Sequence, residues 1–183
     1  MGTKFSTIYD RFLGKITDDM YMELTPQDTL RDMSNILIAS LPAFEFPRFS
    51  LYDYTIGTKT VPLTEEPIEG FVIGQRDDEL IIDDSSFSAV LTEEEINILA
   101  TLMMATWLQR QITSIENIRM KYSGPDFKMT SQANHLAKLL NLAQEIRRDS
   151  MHMQRLYKRR KLSEGRYSSN WSVLREVSAL DGE

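Results

Sequence analysis

The chain contains no cysteine, which removes disulfide bridges, cysteine-based zinc sites and thiol nucleophiles together. Stability has to come from packing or assembly. Histidine occurs only at positions 135 and 152, too far apart for a His-Glu-x-x-His metal pair. His152 lies one turn after Asp149, a spacing that suits a surface hydrogen bond, and no metal is assigned. Long apolar runs are also missing. The longest mostly apolar stretch, residues 96–108, falls well short of the ~20 residues of a membrane-spanning helix. The opening Met-Gly-Thr-Lys-Phe-Ser has no signal-peptide core, so a soluble protein made in a reducing cytoplasm is expected.

Catalytic signatures are absent as well. No Gly-x-x-x-x-Gly-Lys-Ser/Thr loop opens a helix, and no Gly-x-Ser-x-Gly elbow occurs. The acidic cluster Asp77, Asp78, Glu79, Asp83 and Asp84 lacks the alternating ligands, central glycine and terminal glutamate of a calcium loop. It reads as a solvated acidic hairpin. The 27 acidic residues allow many carboxylate pairs in space, but the sequence marks none of them. The reading is no enzyme and no cofactor.

Basic residues are scarce in the first part of the chain. Residues 1–100 carry 7 Lys/Arg against 19 Asp/Glu, net −12, whereas residues 101–183 carry 14 against 8, net +6. Such asymmetry speaks to partners and association rather than to fold. Its focus is the run Arg155-Leu156-Tyr157-Lys158-Arg159-Arg160-Lys161.

At 183 residues and 42% hydrophobic content, the chain can bury one core. Phe5, Ile8, Tyr9, Phe12 and Leu13 fall at helical spacing over residues 5–14, with Gly14 as the stop. Thr25-Pro26-Gln27-Asp28 combines an N-cap, proline at the first helical position and an acid in the first turn. Leu30, Met33, Leu37 and Leu41 follow on one face, and the helix is expected to stop before Pro42. Residues 44–90 change texture, with Pro47, Pro62, Pro67, Gly57, Gly70 and Gly74 punctuating short β-branched runs. Phe71-Val72-Ile73 and Leu80-Ile81-Ile82 predict a hairpin, and residues 50–56 another strand.

Thr92-Glu93-Glu94-Glu95 is a capping box flanked by a Leu91/Ile96 staple. Ile96, Leu99, Met103, Trp107, Ile112, Ile115, Ile118 and Tyr122 then sustain a helix over 92–122. Gly124-Pro125 breaks it. A second long helix is expected over 130–161, with Ala133, Leu136, Leu140, Ala143, Ile146, Met153 and Tyr157 on or near one face. Its far end has few apolar residues and is expected to project from the body. The fold class is therefore mainly α: a helical bundle built on a long antiparallel helix hairpin, with a small inserted β/loop module. One domain, 1–162, includes the 44–90 insertion, and a docking tail occupies 163–183.

The basic run admits three readings. Positively charged side chains at a helix C-terminus complement the helix dipole, and they also suit a protein partner. Alternatively, Arg155, Lys158, Arg159, Arg160 and Lys161 grip phosphates while Tyr157, Tyr167 and Trp171 stack on bases, making a nucleic-acid-binding module. The acidic bulk, with pI near 5.1, weighs against the last.

Three segments carry a resemblance: Met120-Lys121-Tyr122-Ser123-Gly124-Pro125-Asp126-Phe127 and onward to Leu136, Leu91-Thr92-Glu93-Glu94-Glu95-Ile96, and Met153-Gln154-Arg155-Leu156-Tyr157-Lys158-Arg159-Arg160. In texture and element order over residues 91–161, the chain resembles the neck proteins of tailed bacteriophages, most closely the head-to-tail adaptors or connectors. The resemblance implies a structural virion protein without catalysis, assembled in the host cytoplasm as a ring, typically twelvefold, at the capsid-tail junction. That ring would join the portal protein to tail or neck proteins and let genomic DNA pass without specific binding, with no membrane involved. Portal contacts are then expected from Arg155, Lys158, Arg159, Arg160, Lys161, Tyr167, Trp171, Leu174 and Val177. Asp77, Asp78, Glu79, Asp83 and Asp84 become channel-facing candidates, since like charge keeps a channel wall from holding DNA. The 44–90 insertion is larger than a minimal helical adaptor needs.

Overall fold

The computed structural model describes residues 2–16, 20–63, 71–76, 78–122, 130–163 and 166–169. It is mainly helical, with four helices where the periodicities predict them, α1 (Phe5–Leu13), α3 (Pro26–Ser40), α4 (Glu93–Tyr122) and α5 (Thr130–Arg159), and a one-turn α2 (Met20–Glu23) that the sequence did not signal. Small antiparallel sheets are inserted between helices.

Helix α1 buries Phe5, Ile8, Tyr9 and Phe12 on one face, and the Phe5 ring packs on Phe87 at 4.7 Å between centroids. Helix α3 starts as its cap predicts, with Thr25 Oγ1 accepting from the Asp28 N–H at 3.2 Å and Pro26 in the first turn. It buries Met33, Ile36 and Leu37, then tightens into a 3-10 turn over Leu41–Ala43, where Pro42 denies the ladder its N–H.

The first three turns of α4 are buried nearly all round. Ile98, Ala100 and Leu102 are as enclosed as the expected Ile96, Leu99 and Met103. A one-faced stripe therefore understates this helix, which packs against α1, α3 and α5 at once. Buried helices lose the one-sided pattern because every side meets protein.

Helix α5 runs antiparallel to α4. Tyr157 pairs with Glu95, Asn97 reaches Met153 and Arg147 reaches Gln109, so numbers rise in one helix as they fall in the other. Its buried or half-buried positions 136, 139, 143, 146, 150, 153 and 157 alternate steps of three and four, the spacing of a helix seam. Two expectations are corrected here. Leu140 is 41% exposed, and Leu139 takes the inward place. The far end of α5 lies on the body: Ser150, Gln154 and Tyr157 are buried, and polar side chains that find partners pack there as apolar ones would.

The inserted module holds a three-stranded sheet ordered β2-β4-β3, built from β2 (Thr58–Pro62), β3 (Val72–Arg76) and β4 (Glu79–Asp83). The β3–β4 hairpin is the predicted one, with a register shift between Val72 and Gly74. Strand β2 was not anticipated, because Thr-Lys-Thr-Val-Pro is an exposed edge with almost no apolar alternation. Within the expected 50–56 strand only β1 (Tyr54–Thr55) forms, and it pairs with β5 (Ser86–Phe87). Beyond α5, β6 (Arg160–Ser163) pairs with β7 (Arg166–Ser169). The helix thus ends at Arg159 rather than Lys161, and one hairpin spans the expected tail boundary at 163.

Candidate functional site

Three segments meet where the helix hairpin ends: the N-terminus of α4, the last turns of α5 and the loop after the 3-10 turn. Glu95 is their common point. Its carboxylate closes the capping box by accepting from the Thr92 N–H at 2.7 Å, while Thr92 Oγ1 accepts from the Glu95 N–H at 3.3 Å. The same carboxylate accepts from both Arg48 Nε at 2.9 Å and Arg48 Nη2 at 2.6 Å. Tyr157 Oη donates to it at 2.6 Å. Glu95 is only 1% exposed.

Such a fork of guanidinium on carboxylate fixes direction as well as charge. Burial pushes the Glu95 carboxyl up, yet the Arg48 guanidinium, the Thr92 N–H and the Tyr157 hydroxyl together hold it below the ordinary range. Burial, then the Glu95 charge, pushes the Tyr157 phenol up. The hydrogen bonds to Glu95 raise Arg48 further. Arg48 therefore stays a cation, Tyr157 stays a neutral donor and Glu95 stays an anion at neutral pH.

Gln154 fastens the loop to α5. Its Oε1 accepts from the Glu45 N–H at 2.8 Å, and its Nε2 donates to the Ala43 carbonyl at 3.2 Å and to Ser150 Oγ at 3.3 Å. The Phe44 ring meets Tyr157 edge-on at 5.8 Å. Lys158 Nζ sits over the Phe46 ring at 3.9 Å from its centroid, and Arg48 lies over Phe49. Around this anchor Phe49, Tyr52 and Val90 are exposed. The result is a firmly held surface of mixed cations and aromatic rings.

Of the expected portal contacts, Arg155, Lys158 and Arg159 come together as exposed residues in the last turns of α5. Arg160, Lys161 and Tyr167 fall in the β6–β7 hairpin, and Trp171, Leu174 and Val177 lie outside the described residues. Tyr157, a candidate for stacking on bases, is buried on Glu95 and is corrected to an anchor. Among the acidic candidates Asp78, Glu79 and Asp84 are exposed, with Asp84 paired to Lys59, and Asp77 lies outside the described residues. Asp83 is 3% exposed and belongs to the interior. Its Oδ1 accepts from the Ser85 N–H at 3.1 Å and hydroxyl at 2.6 Å, while its Oδ2 has no partner.

Sequence reasoning missed Arg48, Phe46, Phe49 and Gln154. The first three sit in a loop without periodicity. Gln154 had a legible signal, a polar residue one turn before Tyr157 on the seam, but polarity hid it. Two grooves flank α5 where it meets α4. One, of about 470 Å³, is bordered by Ala43, Leu102, Arg147 and Met151. The other, of about 430 Å³, is bordered by Lys15, Met104, Asp149 and His152. No group of three or more metal-ligating side chains occurs among the described residues. Among them, no helix is long and apolar enough to cross a membrane.

No protein family, no curated protein and no solved structure matches the chain.

Proposed function

We propose that the chain is a structural virion protein of a tailed phage, a head-to-tail adaptor that forms a ring joining the portal to the tail and lining the DNA exit channel. The observation that carries this reading is the held basic end of the hairpin. Arg155, Lys158 and Arg159 are exposed on turns that Glu95, Tyr157 and Gln154 lock to the body. A surface held in place before binding loses less entropy on docking than a flexible one. The resemblance over residues 91–161 supplies the partner, and Arg160, Lys161, Tyr167 and the segment containing Trp171, Leu174 and Val177 continue the same docking region. Asp77, Asp78, Glu79 and Asp84 remain channel-facing candidates.

Particle images of the purified protein, alone and with isolated portal rings, test the reading. A closed ring seated on the portal is the expected result. Arg155→Glu combined with Arg159→Glu should weaken portal binding on the order of a hundredfold, since like charges set against each other across an interface are strongly unfavourable. Deleting residues 163–183 should abolish portal binding while leaving the helical fold. Undiminished binding by that truncated chain would remove the tail from the docking surface.

A nucleic-acid-binding module keeps one observation in its favour, the exposed Phe49 and Tyr52 in the loop that also places Arg48. That reading demands retention on single-stranded DNA or RNA, falling steeply with salt. Free passage through such a column at low salt removes it.

A further inference from the structure

The buried seam of α5 is bordered on both sides by exposed apolar residues, and the two borders carry opposite charge. One flank, beside the 3-10 turn, presents Leu140, Arg147 and Met151. Leu140 is 41% and Met151 51% exposed, and Arg147 is exposed. The other flank, beside the end of α1, presents Leu142, Glu145, Asp149 and Leu156. Leu142 is 38% and Leu156 36% exposed, with both carboxylates exposed; Lys138 lies further towards the N-terminal end of the same flank. The two grooves fix the sides, since Arg147 and Met151 border one and Asp149 borders the other. Among the described residues no ion pair within the chain engages Arg147, Glu145 or Asp149.

We infer that the basic flank of α5 in one copy docks on the acidic flank of α5 in the next, a head-to-tail contact that closes the ring. The inference rests on the adaptor reading and names the subunit contact within it. A contact between two different patches propagates around a rotation axis, whereas a two-fold contact must use one patch twice. Like patches here would set arginine against arginine. With the axis along α5, equal residue numbers in neighbouring copies stand at equal height. Arg147 then falls within about 3 Å, along the axis, of Glu145 and of Asp149, at ~1.5 Å rise per residue. Leu140 likewise falls beside Leu142, so leucine faces leucine and arginine faces carboxylate.

Two surface variants test the contact without touching the proposed portal residues. The first reverses the basic flank (Gln144→Glu with Arg147→Glu), and the second reverses the acidic flank (Glu145→Lys with Asp149→Lys). Native mass spectrometry and sedimentation, with circular dichroism as the check on folding, should show each variant alone as a monomer under conditions where the unaltered chain assembles. Mixing the two should restore assembly, because each supplies the flank the other needs, and combining all four substitutions in one chain should do the same. The absence of native cysteine gives a second readout. Leu140→Cys mixed with Leu142→Cys should cross-link on oxidation, while Leu140→Cys alone should not.

Assembly indifferent to both reversals, or self-cross-linking of Leu140→Cys, overturns the inference and leaves the adaptor reading standing. A chain that stays monomeric up to millimolar concentration, yet binds the portal, does the same. Flank-dependent rings that ignore the portal support the inference and sink the adaptor reading.

Discussion

Glu95 and Asp83 are both carboxylates taken almost wholly out of water, at 1% and 3% exposure, and they behave in opposite ways. Glu95 stands between helices with a guanidinium, a phenol and a backbone N–H on it, and its carboxyl is held low. Asp83 ends a strand of the inserted module, where Ser85 serves only one of its oxygens and burial pushes its carboxyl up. Desolvation opposes the charge at both positions. The number and charge of the donors decide the sign: the hairpin end is built around an anion, and the β module tolerates one.

Breaking the better-served carboxylate should have the largest effect. Glu95→Ala strands Arg48, Tyr157 and the Thr92 N–H, and is expected to lower unfolding free energy by about 3–5 kcal/mol in urea titrations. That loss should shrink in acid. A carboxyl whose folded value is lowered adds stability above its unfolded value, near pH ~4.3, and loses it as pH falls through the folded one. A deficit that stays constant below pH ~4 would mean that Glu95 acts through shape rather than charge.

Tyr157→Phe comes next. It removes one hydrogen bond to a charged acceptor while keeping the ring on Phe44, and should lose about 1.5–3 kcal/mol by the same titration. An unchanged midpoint would show that Arg48 alone carries the anchor. Lys158→Ala leaves Phe46 without its cation and should lose only about 0.5–1 kcal/mol.

Asp83→Asn should have the smallest effect, within about 1 kcal/mol at neutral pH. The amide oxygen keeps the Ser85 contacts, and no buried charge remains to be desolvated. The sign is opposite to that at Glu95: a carboxyl whose folded value is raised contributes stability below its unfolded value, near pH ~3.9, and loses it as pH rises through the folded one. The variant should therefore gain on the parent across that window in paired thermal melts. A loss comparable to Glu95→Ala would erase the contrast between the two regions.

Much of the hairpin end was legible in residue order. The Thr92-to-Glu95 box told where α4 begins and that Glu95 folds back on its own backbone, because a cap is satisfied within one turn. Nothing local told that Arg48, 47 residues away, would complete it. The same limit applies to α5. Its seam was traced through Leu136, Ala143, Ile146 and Tyr157, but the polar Ser150 and Gln154 broke the pattern, and the end was expected to project. Strand β2 was missed for the converse reason, since an exposed edge needs no apolar alternation to pair.

The sequence by itself determined the four longer helices, the Thr25 and Thr92 caps, the β3–β4 hairpin, the absence of thiol chemistry and the electrical division of the chain. All of these follow from residue type and short-range spacing. Only the tertiary structure decided which charges are free and which are consumed. Asp83 went inside, Glu95 and Arg48 neutralised each other across the loop, Tyr157 became an anchor, and Arg147 stayed on the opposite flank of one helix from Glu145 and Asp149. Charge is carried by the residue, but its availability depends on burial and on partners brought from far along the chain, and the packing of α4 against α1, α3 and α5 sets both.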